Sequence, residues 1–268
     1  MSLNQPFQVL GRLLQFQYEA TGNIQPADQS IFNKLVATIR RLTCLPTSDV
    51  AEILSNLSDQ KVEEGLAENL LQKAGMNDNS RNEVLAACGF TNKTQELGNI
   101  YVSGLTFFKN NREHHLAVGV DLASYFIYWN LYDRKKRNLP YLFLEQLMEK
   151  FPIGVRSISF DRGFLLNNEK NVLNEAKGFQ LQDRCDKKKI RLNICDLPFA
   201  WKPTSLKFVN EGATDNKSDE SVRQMKKLME HLMLDFNFNR PLGANGGMSP
   251  FSKVIEFIHK NSKTKLKA

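Results

Sequence analysis

The residue that most suggests a chemical role is Asp161, which ends the apolar run from Val155 to Phe160 and precedes Arg162 and Gly163. Such a run is typical of a central strand that is covered on both faces. A strand that delivers a carboxylate at its end is a site-building arrangement, although a single carboxylate before a glycine often only caps a turn. Asp161 is therefore the first candidate, and its role depends on the groups that lie near it.

The elements around Asp161 are indicated by the hydrophobic pattern. Alternation predicts strands over 100–108 and 115–120, joined by a turn at 110–112, and a third strand over 125–131. We further expect a helix over 139–151, the strand that ends at Asp161, a short helix through 172–176, a strand over 190–194 and a long helix over 218–236. This order predicts an α/β fold, a mixed sheet with flanking helices.

Residues 1–95 differ, because apolar residues recur at helical spacing throughout, as in Ile31 to Leu42. We expect a small all-α domain there, of unknown role. The segment Asn82 to Thr94 resembles a helix-turn-helix, with a glycine at the turn, but no basic recognition helix follows it. An ordinary helix end is the alternative.

Charge is distributed unevenly along a chain of net charge +7, since residues 1–95 hold 8 Lys/Arg and 10 Asp/Glu whereas residues 96–268 hold 28 and 19. A basic second part favours a polyanionic partner through phosphate neutralisation, although many proteins are mildly basic without one. Arg184, Lys187, Lys188, Lys189 and Lys202 are the candidate phosphate contacts; the alternative is a solvated face.

The four cysteines form no CxxC pair and do not indicate a disulfide framework. We expect free thiols in a reducing cytoplasm. The sequence shows neither a secretory signal nor an apolar run of membrane-spanning length, so we expect a soluble cytoplasmic protein without a membrane partner.

Three stretches in order carry a resemblance to a known family: Val118 to Trp129, with an Asp and then Ser and aromatic residues; Phe151 to Gly163, which ends Asp-Arg-Gly; and Phe236 to Pro250, with Asn, Arg-Pro, Leu-Gly, Gly-Gly and Ser-Pro. Together these resemble the catalytic core of the retroviral-integrase-like transposases of bacterial insertion sequences. The resemblance covers roughly residues 97–258, before a basic tail over 259–268, and implies a ribonuclease-H-like fold.

The resemblance also implies a chemistry, in which two Mg²⁺ ions held by three carboxylates drive an in-line phosphoryl displacement on DNA. In this chain Asp161 matches the second carboxylate. The first falls on Gly104 and the third on Lys207, and neither residue can serve as an oxygen ligand. Glu211 and Asp196 are possible substitutes.

We therefore expect a nucleic-acid-associated protein, with DNA as the partner, that lacks strand-transfer activity: a regulator or a mobile-element remnant. No cofactor is expected, and Mg²⁺ only if the protein is active. One alternative is an active transposase or nuclease that combines Asp161 with Asp121, Asp196 or Glu211. Another is a non-enzymatic protein-binding scaffold, and the chain could form a homo-oligomer.

Overall fold

A computed structural model describes residues 29–58, 61–90, 96–109, 112–133, 139–161, 175–198, 201, 205–207 and 218–265. The helices, numbered in chain order, are α1 Gln29–Thr43, α2 Thr47–Ser58, α3 Glu64–Lys73, α4 Asp78–Ala87, α5 Leu139–Lys150, α6 Glu175–Lys187, α7 Ser218–Asn239 and α8 Pro250–Lys265. The strands are β1 Asn99–Lys109, β2 Arg112–Asp121, β3 Ile127–Asp133, β4 Ser157–Asp161, β5 Arg191–Cys195 and β6 Ser205–Lys207.

The strands form one mixed sheet in the order β3-β2-β1-β4-β5. The first three strands are antiparallel neighbours, whereas β4 lies parallel to β1, and β5 lies parallel to β4. The short strand β6 pairs with β1 through residues 106–108, farther along β1 than the stretch 99–102 that pairs with β4. The predicted α/β class is thus confirmed.

Helices cover both faces of the sheet because residues of both faces are apolar. On one face, Ile100, Val102 and Phe160 share a core with α5 and α6. On the other face, Tyr101 and Leu105 share a core with the helical segment of residues 29–90. The parallel strands at the centre of the sheet are therefore buried on both sides, as their apolar character requires.

The helices of residues 29–90, which we call the helical layer, pack directly on the sheet. Their buried residues, among them Val36, Ile39, Leu54 and Leu71, belong to the same apolar cluster as residues of β1, β2 and β3. The helices expected in the first 95 residues are thus present in the described range, and their apolar side is continuous with the sheet.

The helical layer is fixed internally by a buried arginine. The Arg40 side chain is fully buried, donates to the carbonyl oxygen of Met76 at 3.0 Å and forms an ion pair with Asp78. It also donates to the carbonyl oxygen of Leu45. A buried guanidinium requires this many acceptors, because an unsatisfied buried donor costs free energy. Arg40 thereby joins α1, the turn after it and the start of α4.

Several predicted boundaries change. The basic tail expected over 259–268 belongs to α8 as far as Lys265, and the basic stretch 183–189 lies mostly within α6. Ser58 ends α2, and Glu63 stands at the start of α3. Among the described helices, none combines the length and the hydropathy of a membrane span.

Candidate functional site

Asp161 lies at the end of β4, and its side chain is 1% exposed. Successive side chains of a strand point to opposite faces, so Asp161 shares a face with Ser159 and Ser157. Ile158 and Phe160 point the other way, into the core with α5. The candidate carboxylate therefore faces the helical layer and is shielded from solvent.

The C-terminal end of α1 covers this face of the sheet. Tyr101 donates its hydroxyl to the carbonyl oxygen of Arg41 at 3.4 Å, and the hydroxyl of Ser103 donates to the carbonyl oxygen of Leu42 at 3.3 Å. Both donors lie on β1, the strand next to β4. Helix α1 thus ends directly over the strands that surround Asp161.

Arg41 brings a positive charge to Asp161. Its side chain is 7% exposed, and burial lowers the pKa of the guanidinium, whereas the nearby Tyr101 and Asp161 raise it. Burial also raises the pKa of Tyr101 well above its ordinary value, so that its hydroxyl stays protonated. Arg41 is thus a buried cation whose charge acts on Asp161.

The residue of β1 that lies level with Asp161 is Ser103. In the register of β1 and β4, Val102 is level with Phe160, so the next level pairs Ser103 with Asp161. Level residues of parallel strands point to the same face, and Gly104 therefore lies on the opposite face. Ser103, rather than the candidate position Gly104, therefore shares the face of Asp161, and its hydroxyl contacts α1.

The expected third position also falls elsewhere. Lys207 belongs to β6 and pairs with Phe108 of β1, whereas the resemblance places that ligand on a helix after strand five. Lys207 is therefore not on the expected helix. Glu211, one of the possible substitutes, lies outside the described residues, as do Arg162 and Lys202.

The other candidate carboxylates lie away from the buried face of Asp161. Asp196 follows Cys195, the level partner of Asp161, but it is exposed to solvent. Asp121 ends β2 and pairs with Ile100 of β1. Ile100 is in turn level with Ile158 of β4, which comes three residues before Asp161. Three residues of strand correspond to roughly 10 Å, so Asp121 and Asp161 are too far apart to bridge one ion.

Asp121 instead closes a turn. Its carboxylate accepts from the backbone N–H of Gly98 at 2.7 Å, from the backbone N–H of Ser124 at 2.9 Å and from the Ser124 hydroxyl at 2.6 Å. Burial raises the pKa of Asp121, and these hydrogen bonds lower it. Its carboxylate is therefore engaged in hydrogen bonds, two of them to Ser124 in the loop that joins β2 to β3.

These groups do not fit a pair of Mg²⁺ ions, which take oxygen ligands in near-octahedral geometry and usually keep several waters. The described surroundings of Asp161 are a guanidinium, a phenol, the Ser103 hydroxyl and the Cys195 thiol. At the level of Asp161, the neighbouring strands carry Ser103 and Cys195, neither of which is a carboxylate. No group of three potential metal ligands occurs in the part of the chain that the structure describes.

The candidate phosphate contacts lie at the other end of the sheet. Lys188 and Lys189 form the turn before β5 and are exposed, whereas Asp161 is level with the last residue of β5. Four residues of strand correspond to about 13 Å. Arg184 pairs with Glu145, donating from Nη2 at 2.7 Å, and Lys187 pairs with Asp183 at 2.6 Å. Lys188 and Lys189 are thus the better candidates for an external anion.

The closing motif contributes structural contacts that sequence reasoning did not assign. The Asn237 side chain donates to the carbonyl oxygen of Ile127 at 2.7 Å and accepts from its N–H at 2.8 Å, as a neighbouring strand would. Asn245 donates to the carbonyl oxygen of Ser124 at 2.7 Å. Both residues fix the loop before β3.

The turn at 243–247, expected as a flexible closing turn, is held by the helical layer. The carboxylate of Asp49 in α2 accepts from the backbone N–H of Gly243 at 2.6 Å and of Ala244 at 3.1 Å. The residues that these two contacts join lie 194 and 195 positions apart in the sequence. The closing motif therefore joins the sheet to the helical layer.

The residues that surround Asp161 were missed because they come from distant parts of the chain: Arg41, Tyr101, Ser103 and Cys195. Only Ser103 could have been found, by counting strand faces from a known register. In the comparisons with known proteins, no protein-family model matches the chain and no curated protein matches it.

Proposed function

We propose that this protein is a nucleic-acid-binding scaffold of ribonuclease-H-like, integrase-like fold that does not perform strand transfer. The fold part of the proposal is supported by the element order after residue 98. Three antiparallel strands are followed by a helix, a parallel strand, a second helix and a further parallel strand. This order is the one that the three sequence stretches implied.

The observation that carries the proposal is the environment of Asp161. A two-metal enzyme needs carboxylates that meet at a surface accessible to DNA and to water. Here the carboxylate is buried under α1 and faces the Arg41 guanidinium, with Ser103 at the level of the first ligand. The positive charge that acts on Asp161 here is that of Arg41, a residue of the protein.

The part of the proposal that concerns nucleic acid rests on charge. Lys188 and Lys189 are exposed, and Arg191 follows them at the exposed start of β5. Cations on an exposed turn can approach backbone phosphates and release counterions. Because this turn lies far from Asp161, binding here would not bring a phosphodiester to the candidate carboxylate.

The test is a fluorescence-anisotropy titration of a labelled DNA duplex at several salt concentrations. We expect the logarithm of the binding constant to fall linearly with the logarithm of salt, because each phosphate contact contributes a slope of about −0.9. The variant Lys188→Glu with Lys189→Glu should bind more weakly and reduce the slope by about 1 for each phosphate that the lysines no longer neutralise.

The control is Lys61→Glu, which reverses an exposed charge on the helical layer instead of on the turn before β5. This variant should bind as the unaltered protein does. If both variants bind DNA equally well, the turn before β5 is not the interface. If the unaltered protein shows no salt-dependent binding, the nucleic-acid function is wrong and a protein-binding scaffold is favoured.

A further inference from the structure

Two cysteines meet where the helical layer contacts β5. Cys88 ends α4, and its carbonyl oxygen accepts from the Ser159 hydroxyl at 3.0 Å and from the Asn193 side chain at 3.3 Å. Cys195 lies two residues beyond Asn193 on the same strand, and therefore on the same face. The two side chains are therefore neighbours, and their mutual hydrogen bond shifts the pKa of each thiol.

The pair lies just below the surface. Cys88 is 1% exposed and Cys195 is 3% exposed, but the residues Ala87 and Gly89 on either side of Cys88 are exposed, as is Asp196 after Cys195. A small opening at the end of α4 would therefore admit a molecule of the size of a hydroperoxide without unfolding the sheet.

The hydrogen bond makes the two thiols unequal. Its effect lowers the pKa of Cys195 and raises the pKa of Cys88, as expected when the Cys88 S–H donates to the sulfur of Cys195. A thiolate is the reactive form of cysteine, and a neighbouring donor favours it. Cys88 also stands at the C-terminal end of α4, where the helix dipole disfavours a thiolate. Cys195 is accordingly the nucleophile of the pair, and Cys88 is placed to resolve it.

We propose that Cys88 and Cys195 are a redox-modification site that a small hydroperoxide converts to a disulfide. The Cys195 thiolate attacks the peroxide oxygen and breaks the O–O bond, which gives a sulfenic acid and, after protonation, water or an alcohol. The Cys88 sulfur then attacks the sulfenic sulfur, and the released hydroxide takes the Cys88 proton to form water. The two thiols together lose two electrons, and one peroxide gains them.

The disulfide would join α4 covalently to the end of β5. Cys195 is the level partner of Asp161, so the link would form beside the buried carboxylate and lock the helical layer over it. The proposal depends on this packing and is independent of whether the protein binds nucleic acid.

The test is mild oxidation of the full chain with hydrogen peroxide, followed by alkylation of free thiols, proteolysis and mass spectrometry. We expect one intramolecular cross-link, between the peptides that contain Cys88 and Cys195, and its reversal by dithiothreitol. A disulfide that closes a loop of about 100 residues should raise Tm by about 5 to 10 °C. This measurement requires no variant.

Cys195→Ser and Cys88→Ser should each abolish the cross-link. The matched control is Cys185→Ser, because Cys185 is buried on the opposite side of the sheet and burial raises its pKa to about 11. It should leave the cross-link unchanged. The proposal is overturned if Cys88 and Cys195 stay reduced in the folded, peroxide-treated protein, or if the cross-link joins Cys44 or Cys185 instead.

Discussion

Replacing Arg41 by methionine should destabilise the fold severely, although the residue lies more than a hundred positions from Asp161. Methionine keeps much of the apolar stem and removes the cation. Arg41 is 7% exposed and Asp161 is 1% exposed, so water cannot replace the lost charge. Removing one of two buried, oppositely charged groups that interact costs up to about 3–5 kcal/mol, because the other charge stays buried. We expect the free energy of unfolding to fall by that amount.

The assay is urea unfolding followed by circular dichroism, with Arg41→Met, Asp161→Asn and the double variant measured together. The double variant should cost less than the sum of the single variants, since neither charge is then left behind, with a coupling energy of about 1–3 kcal/mol. The matched control is Arg156→Met, because Arg156 and Glu96 form an ion pair whose side chains are 59% and 60% exposed. An exposed pair contributes at most about 1 kcal/mol.

The reasoning is refuted if Arg41→Met costs no more than Arg156→Met. It is also refuted if the costs of Arg41→Met and Asp161→Asn simply add, because the two side chains would then be energetically independent. An unchanged slope of unfolding free energy against urea is needed for the comparison, since a changed slope reports an altered unfolded or native state.

Two further predictions concern packing and charge elsewhere. Gly119→Ala should lower the free energy of unfolding by about 1–3 kcal/mol through overpacking, because a Cβ there would lie 2.7 Å from the Leu147 side chain. A Cβ at Gly154 would meet nothing within 4 Å, so Gly154→Ala should be neutral. Thermal unfolding of both variants provides the comparison. Glu256 should titrate near pH 2 in an NMR experiment, because Lys253 and Lys260 lower the pKa of its carboxyl to about 2 from 4.5. Its contribution to stability is therefore present above pH 4.5 and lost as the pH falls toward 2; titration near 4.5 would contradict this ion-pair arrangement.

The strands were predictable because their signals are local. Alternation over 100–108 and 115–120 predicted the first hairpin, and the structure pairs Ile100 to Lys109 with Asp121 to Arg112. The apolar run before Asp161 likewise indicated a buried strand that ends in a carboxylate, as found. Elements of this kind are defined by the period of their own side chains.

The surroundings of Asp161 could not be predicted in the same way. The contact with Arg41 depends on how α1 crosses the sheet, and no periodic pattern carries that information. Motif matching pointed to Gly104, whereas the register places Ser103 on the face of Asp161, because a shift of one residue in a strand reverses the face. Lys207 was placed on a helix because its neighbours matched a motif, whereas pairing with β1 extends the chain there.

We propose that the protein binds DNA without cutting it. The most direct measurement incubates the purified protein with labelled DNA duplexes and Mg²⁺ or Mn²⁺, and scores binding and strand nicking or joining in the same samples. We predict salt-dependent binding with no nicked or joined product. Metal-dependent nicking or joining that disappears in folded Asp161→Asn would contradict the claim, because Asp161 would then hold a catalytic metal instead of balancing Arg41.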